Sequence, residues 1–342
     1  QGLPVVAQPG SGYTTSFAGG DIRQGLPVVA QPGSGYTTSF AGGDIRQVLY
    51  APVAPIMTRA EPSKTLLSSS FKQAYAKSEC PELQHKLMDA VFTIISAYGN
   101  RNGLPEDACK QFFLELQKEA FENPDGLEEL LGDIPSAAQR LWTSTKVLQG
   151  GARKRQELCS IINYMLRSDD PAVMKEVSTF VRAVNRLSVV RGVRDALKLS
   201  FPPSGELWRG GSLPDAYRSF YVPGIKYRVP MFLASSMDVS VANTFIYYAK
   251  EEGLSTVRWR ILLDPRGARD MNWRCSHVNL VSKSYLGSAE AEYLFAPYST
   301  FTVREVRWSA NPTDGRSPHE ITIEAAVDNQ SEPEDLPLAP YA

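Results

Sequence analysis

The sequence has little of several residue types, and each shortage excludes a class of protein. Its 342 residues include four scattered cysteines, which form no disulfide framework and are typical of reduced thiols in an intracellular protein. Three histidines give no metal-ligand cluster beyond the isolated fragment Cys275-Ser276-His277, so we predict no metal site. A net charge of -1 gives no electrostatic reason to expect nucleic acid or an anionic membrane as a partner.

Long apolar runs are also missing, so we expect no transmembrane segment. The chain begins at Gln1 and shows no charged segment followed by an apolar one, as a leader would. Because this start is compatible with a fragment or a processed form, the compartment stays open, with the cytoplasm as our expectation.

The head of the chain is a tandem repeat. Residues 1–23 recur unchanged as residues 24–46, in a composition rich in Gly, Pro, Ser and Thr. The unit lacks the stackable apolar face that a solenoid needs, so we interpret 1–46 as a flexible head that tethers the chain to a larger assembly. Residues 47–65 continue as a proline-rich linker.

Apolar periodicity divides the rest of the chain. Residues 66–200 carry apolar side chains at three- and four-residue spacing, which predicts a helical subdomain. Residues 201–328 are mostly of strand composition, and the acidic, proline-bearing tail 329–342 is expected to be loosely held. The predicted helices are 83–99, 105–120, 136–147, 158–166, 169–187 and 239–250, with a short amphipathic turn at 127–131. The predicted strands are 206–209, 232–236, 257–263, 277–281, 293–295, 301–308 and 321–327.

Three short features carry chemistry, and the first is an arginine. Arg209 closes an apolar strand and precedes Gly210 and Gly211. A guanidinium fork suits a diphosphate, and glycines let a backbone approach a ligand closely. The plainer alternative is a salt-bridged arginine beside a Gly-Gly turn.

The other two features are a serine pair and a glutamate pair. Ser235 and Ser236 close a strand before a helix, where they can cap the helix or bond a ribose. Glu290 and Glu292 are two residues apart, so in an extended chain they point to the same side. Two such carboxylates repel unless a cation lies between them. A solvated edge strand is the alternative for this pair.

In this order, the three features resemble the mono-ADP-ribosyltransferases of the Arg–Ser–Glu type, with an E-x-E motif like that of the arginine-specific members. Residues 290–303 are similar to the family's segment around its catalytic glutamate, and residues 232–245 to its serine motif and following helix. Asn163 lies in a segment similar to the helical region before the arginine strand. The resemblance covers roughly 155–310 and does not reach 1–62.

The resemblance implies a set of NAD contacts. Arg209 would hold the phosphates and the nicotinamide ribose, and the Gly210 backbone would lie near the nicotinamide amide. Ser235 and Ser236 would complete the cofactor site, with Ser236 supporting the ribose and the glutamate. The family often has Ser-Thr-Ser where this chain has Ala234 before the two serines, so one supporting hydroxyl is missing.

The resemblance also implies an activity and a fold. Glu292 would be the catalytic carboxylate and Glu290 would orient the acceptor, so that ADP-ribose passes from NAD to a protein arginine with release of nicotinamide. The implied fold is α+β: a helical subdomain packed on a β core of two small, mostly antiparallel sheets around NAD. Two alternatives remain, a non-catalytic scaffold of the same fold and an NAD glycohydrolase.

Overall fold

The computed structural model describes residues 65–121, 134–150, 156–188, 204–251, 253–263, 277–280 and 292–340. The repeat 1–46, the predicted turn 127–131 and Glu290 lie outside these ranges. No helix within them is both long and apolar enough to span a bilayer. The helices are α1 Ser70–Lys77, α2 Gln84–Arg101, α3 Glu106–Phe121, α4 Ile134–Trp142, α5 Leu158–Ser168, α6 Met174–Ser188 and α7 Val239–Glu251.

Helices α2 to α6 follow from their apolar stripes, whereas α1 is short and buries Phe71 alone. In α2, for example, Leu87, Val91, Ile94 and Tyr98 recur at three- and four-residue spacing and are all buried. The prediction of 136–147 was wrong at both ends, because α4 starts at Ile134 and stops at Trp142. The residues after Trp142 include three β-branched ones within five positions, which disfavour continuation of a helix.

The strands of the described residues form one sheet. They are β1 Glu206–Ser212, β2 Lys226–Val229, β3 Leu233–Ser236, β4 Thr256–Leu262, β5 His277–Leu280, β6 Glu292–Phe295, β7 Ser299–Arg307 and β8 His319–Ala325. Their order across the sheet is β2-β7-β8-β4-β1-β3-β6-β5. Each neighbouring pair is antiparallel except β4 and β8, which confirms the prediction of a mostly antiparallel arrangement.

The prediction of two sheets was wrong. Strands β1 and β3 are joined by a single register pair, Trp208 with Ser236, whereas β1 and β4 pair along seven residues. That one pair joins β3, β6 and β5 to the larger part of the sheet. Alternation along a strand shows which face is buried but not which strand lies alongside, so the sequence could not exclude this junction.

The two faces of the sheet differ sharply. On one face Val257 and Ile261 of β4 and Ile323 of β8 are buried in the core that the helices share. On the other face Arg258 and Arg260 alternate with them, as the two-residue period of a strand requires. The helical region therefore packs on one side of the sheet, and the polar side carries α7.

The tail is held against β2, so the expectation of a loose tail was wrong. Arg228 is 1% exposed, and its guanidinium donates to four carbonyl oxygens. These are Tyr298 O at 2.7 Å, Glu332 O at 2.8 Å, Asn329 O at 3.1 Å and Pro333 O at 3.1 Å. The Arg228 backbone also bonds Pro337 and Ala339 at 2.9 and 2.8 Å. Composition indicated a polar tail, but it could not reveal this buried donor.

Candidate active site

Three neighbouring strands place the serine and glutamate features side by side. Ser236 of β3 is the register partner of Trp208 on β1 and of Glu292 on β6. Residues directly opposite each other in an antiparallel pair share a face of the sheet. Ser236 and Glu292 therefore lie next to each other at the junction between the two parts of the sheet.

Arg209 reaches the same strand from the other side of the junction. It follows Trp208 on β1, and its Nη1 donates to the carbonyl oxygen of Ala234 on β3 at 2.6 Å. The side chain is partly buried. The contact uses a backbone carbonyl, so alanine in place of a serine at position 234 leaves this anchor of Arg209 intact.

The two serine hydroxyls already have structural partners. Ser235 is 6% exposed and donates to the carbonyl oxygen of Tyr293 at 2.7 Å, which ties β3 to β6. Ser236 Oγ accepts from the backbone N–H of Asp238 at 2.9 Å, at the entry to α7. Asp238 in turn accepts from Ser240 N at 2.8 Å, and hydrogen bonds from Ser240 lower the pKa of that carboxyl group. The capping interpretation of this segment thus holds.

Gly210 is required by packing. A Cβ atom at this position would lie 1.8 Å from the carbonyl oxygen of Ala242 and 3.0 Å from Ile246 Cγ1, both on α7. The neighbouring Gly211 would meet nothing within 4 Å. Helix α7 therefore lies against the β1 backbone at Gly210, which gives this glycine a structural purpose that the sequence did not reveal.

Helix α4 contributes a contact to Glu292 that the sequence did not predict. The indole Nε1 of Trp142 donates to Glu292 Oε1 at 3.1 Å. Trp142 is 4% exposed, and its ring packs on Phe232 with the centroids 4.7 Å apart. The position of Trp142 on an apolar helix indicates only a core residue. Because Trp142 and Glu292 are 150 positions apart in the sequence, no local pattern predicts their contact.

Helix α5 lines the same region. Burial, together with the negative charges of Glu157 and Glu292, raises the pKa of Cys159 to about 12. The thiol is therefore neutral near pH 7 and is not a nucleophile. Asn163, one turn further along α5, brackets the start of β3: its amide donates to Phe232 O at 3.2 Å and accepts from Phe232 N at 3.1 Å.

The structure thus places Ser236 opposite Glu292 on β3 and β6, and Arg209 on the neighbouring strand β1, one residue after the register partner of Ser236. Gly210 follows on β1, under α7. Glu290 lies outside the described residues. Within the described ranges, no three His, Cys, Asp or Glu side chains are grouped as metal ligands would be.

Comparison with known proteins gives likenesses in overall structure only. No family model and no curated protein matches the sequence. The structure is similar to Vis toxin, an ADP-ribosyltransferase from Vibrio splendidus, at 15% identity and a TM-score of 0.35 over 74% of this chain and 90% of that chain. It is similar to the ADP-ribosyltransferase HopU1 of Pseudomonas syringae at 13% identity and a TM-score of 0.39, over 72% of this chain and 100% of that one. At these scores the likenesses carry no conclusion about this chain.

Proposed function

We propose that this chain transfers ADP-ribose from NAD to an arginine side chain of a protein and releases nicotinamide. The observation that carries the proposal is the pairing of Ser236 with Glu292, beside a strand whose Arg209 reaches across to β3. A guanidinium, a hydroxyl and a carboxylate at one junction suit a diphosphate, a ribose hydroxyl and a developing positive charge. The motif resemblance of residues 232–245 and 290–303 supports the same conclusion.

The chemistry needs only one carboxylate at the bond that breaks. The nicotinamide of NAD is cationic and leaves as a neutral ring, so no general acid has to protonate it. The ribose gains positive charge in an oxocarbenium-like transition state, as in glycoside hydrolysis. Glu292 stabilises that charge and bonds the ribose 2'-hydroxyl, while Arg209 binds the phosphates.

The second glutamate acts on the acceptor. An arginine side chain is always protonated and becomes a nucleophile only when a carboxylate draws on its N–H groups. Glu290 stands two residues before Glu292, a spacing that in an extended chain directs both carboxylates to one side. The resemblance of this E-x-E pair to that of the arginine-specific members supports arginine as the acceptor and Glu290 as the residue that orients it.

The test uses labelled NAD with an arginine-containing peptide and a matched peptide in which lysine replaces arginine. The wild type is expected to label the arginine peptide only. Glu292→Gln should lower NAD cleavage by about 10²–10³-fold, the usual cost of removing a group that stabilises transition-state charge. Glu305→Gln, which changes an exposed carboxylate on β7, is the control and should cleave NAD normally. Turnover by Glu292→Gln equal to that of the control would refute the assignment.

Glu290→Ala separates acceptor activation from NAD cleavage. We expect this variant to lose peptide labelling while it still consumes NAD, because the bond to nicotinamide breaks without help from Glu290. Peptide labelling at the wild-type rate would show that Glu290 has no role in the acceptor site. Free ADP-ribose with an unlabelled peptide from the wild type would instead identify an NAD glycohydrolase.

A non-catalytic scaffold is the second candidate, and Ala234 is the observation that favours it. The hydroxyl that the family often places there is absent, and the Ser235 hydroxyl is bonded to Tyr293 O. A scaffold predicts no rise in the unfolding temperature on addition of NAD, whereas the proposed transferase predicts a rise that grows with NAD concentration.

A further inference from the structure

We propose that Trp142 is a positioning residue that fixes the orientation of the Glu292 carboxylate. The inference rests on the proposed function, which makes Glu292 the group that stabilises the ribose cation. Its basis is the hydrogen bond of 3.1 Å from Trp142 Nε1 to Glu292 Oε1. The donating residue, Trp142, is only 4% exposed to solvent. An indole N–H can only donate, so the donor and acceptor cannot exchange roles and the bond always holds a carboxylate oxygen in place.

The donor itself is held on all sides. Trp142 ends α4, in which all residues except Arg140 are buried, and its ring packs on Phe232 at 4.7 Å. The Phe232 backbone is held in turn by Asn163 of α5, which donates to its carbonyl oxygen and accepts from its N–H. The indole N–H is therefore positioned by α4, α5 and β3 together. A transition-state charge is stabilised best by groups whose geometry is set before the reaction begins.

A neutral donor suits the charges around Glu292. Glu157 precedes α5 as its N-cap residue, and α5 contributes the neutral thiol of Cys159, which lies close enough for the Glu292 charge to raise its pKa. On the neighbouring strand β1, Arg209 follows Trp208, the register partner of Ser236. An N–H donor without charge stabilises the ionised carboxylate and adds no positive charge beside it.

The test compares Trp142→Phe, which keeps an aromatic ring against Phe232 but removes the N–H, with Trp308→Phe. The control changes a tryptophan whose ring contacts His319 and Arg218. For Trp142→Phe we expect kcat of NAD cleavage to fall about tenfold or more, as for a lost hydrogen bond to a charged group, with KM for NAD unchanged. The acidic limb of its pH profile should move to higher pH, because the ionised carboxylate has lost a donor. Trp308→Phe should leave kcat and the profile unchanged.

A second measurement needs no turnover. In ¹⁵N-labelled protein, the indole signal that disappears in Trp142→Phe belongs to Trp142. We expect this signal to shift with pH as Glu292 ionises in the wild type and to lose that titration in Glu292→Gln. An indole signal that does not titrate, or that titrates equally in Glu292→Gln, would overturn the contact.

The two measurements separate the failure of each proposal. If Trp142→Phe cleaves NAD with the kcat and pH profile of the wild type, the positioning role is wrong and the proposed function stands. If the wild type leaves NAD intact while the Trp142 indole titrates with Glu292, the proposed function is wrong, and the catalytic purpose of the contact is overturned with it.

Discussion

Replacing Gly210 by alanine tests whether this glycine serves helix packing or ligand approach. The added Cβ would lie 1.8 Å from Ala242 O, and an ordinary contact begins at 3.4 Å, so α7 must retreat by roughly 1.6 Å. Because the obstacle is helix backbone, it cannot be relieved by a side-chain rotation. We therefore expect a loss of about 3 kcal/mol in the free energy of unfolding, the upper end of the usual cost of overpacking.

Gly211 provides the matched control on the same strand. Its added Cβ would meet nothing within 4 Å, and neither glycine has a positive φ that would strain an alanine. Gly211→Ala should be neutral or up to about 1 kcal/mol more stable, because alanine lowers the entropy of the unfolded chain. Thermal unfolding checks the pair: at about 2–4 °C per kcal/mol, Gly210→Ala should melt roughly 6–12 °C below the wild type.

The comparison has a clear contrary result. If Gly210→Ala is as stable as Gly211→Ala but loses its NAD-induced rise in unfolding temperature, packing is not the reason for the glycine. The ligand-approach interpretation from the sequence would then be correct at this position. If Gly210→Ala is less stable than Gly211→Ala in the absence of NAD, the glycine is required for helix packing.

Two further predictions concern two buried side chains, the guanidinium of Arg228 and the imidazole of His319. Arg228→Met removes the donor to two buried carbonyls and should lower the free energy of unfolding by about 4 kcal/mol. Arg307→Met, at an exposed site, should lower it by less than about 1 kcal/mol. Equal losses in denaturant unfolding would contradict the assignment. Burial and the nearby Arg218 lower the pKa of His319 below 6.5, so folding favours its neutral form. Stability should then decline as pH falls below about 6.5, and His319→Gln should show a weaker decline, while His85→Gln keeps that of the wild type.

Most helices and strands were predictable because their signals are local. Residues close in sequence form the apolar stripes of α2, α5 and α6 and the alternation of β4 and β8. The structure has helices and strands at these positions. Helix α1, strand β2 and the 3-10 helix Asp215–Phe220 were missed, since each is short and its apolar residues show neither period clearly.

Features that depend on distant residues were not predictable. The single pair of Trp208 with Ser236 joins into one sheet the strands for which the resemblance implied two. The Trp142 contact joins a helix and a strand that have no sequence feature in common. The motif residues themselves could be chosen from the sequence because their order along the chain resembles that of a known family. Their structural supports belong to the packing of other elements and were not visible in the sequence.

The docked tail has a consequence for how the sheet ends. Among the described strands, β2 is the outermost on its side of the sheet. An uncovered outer strand offers amides and carbonyls to any other extended chain. Here the Arg228 N–H and carbonyl are both engaged by residues 337 and 339 of the same molecule. Residues 337 and 339 thus cover the β2 edge of the sheet at Arg228. Their removal would expose that edge to intermolecular strand addition and aggregation.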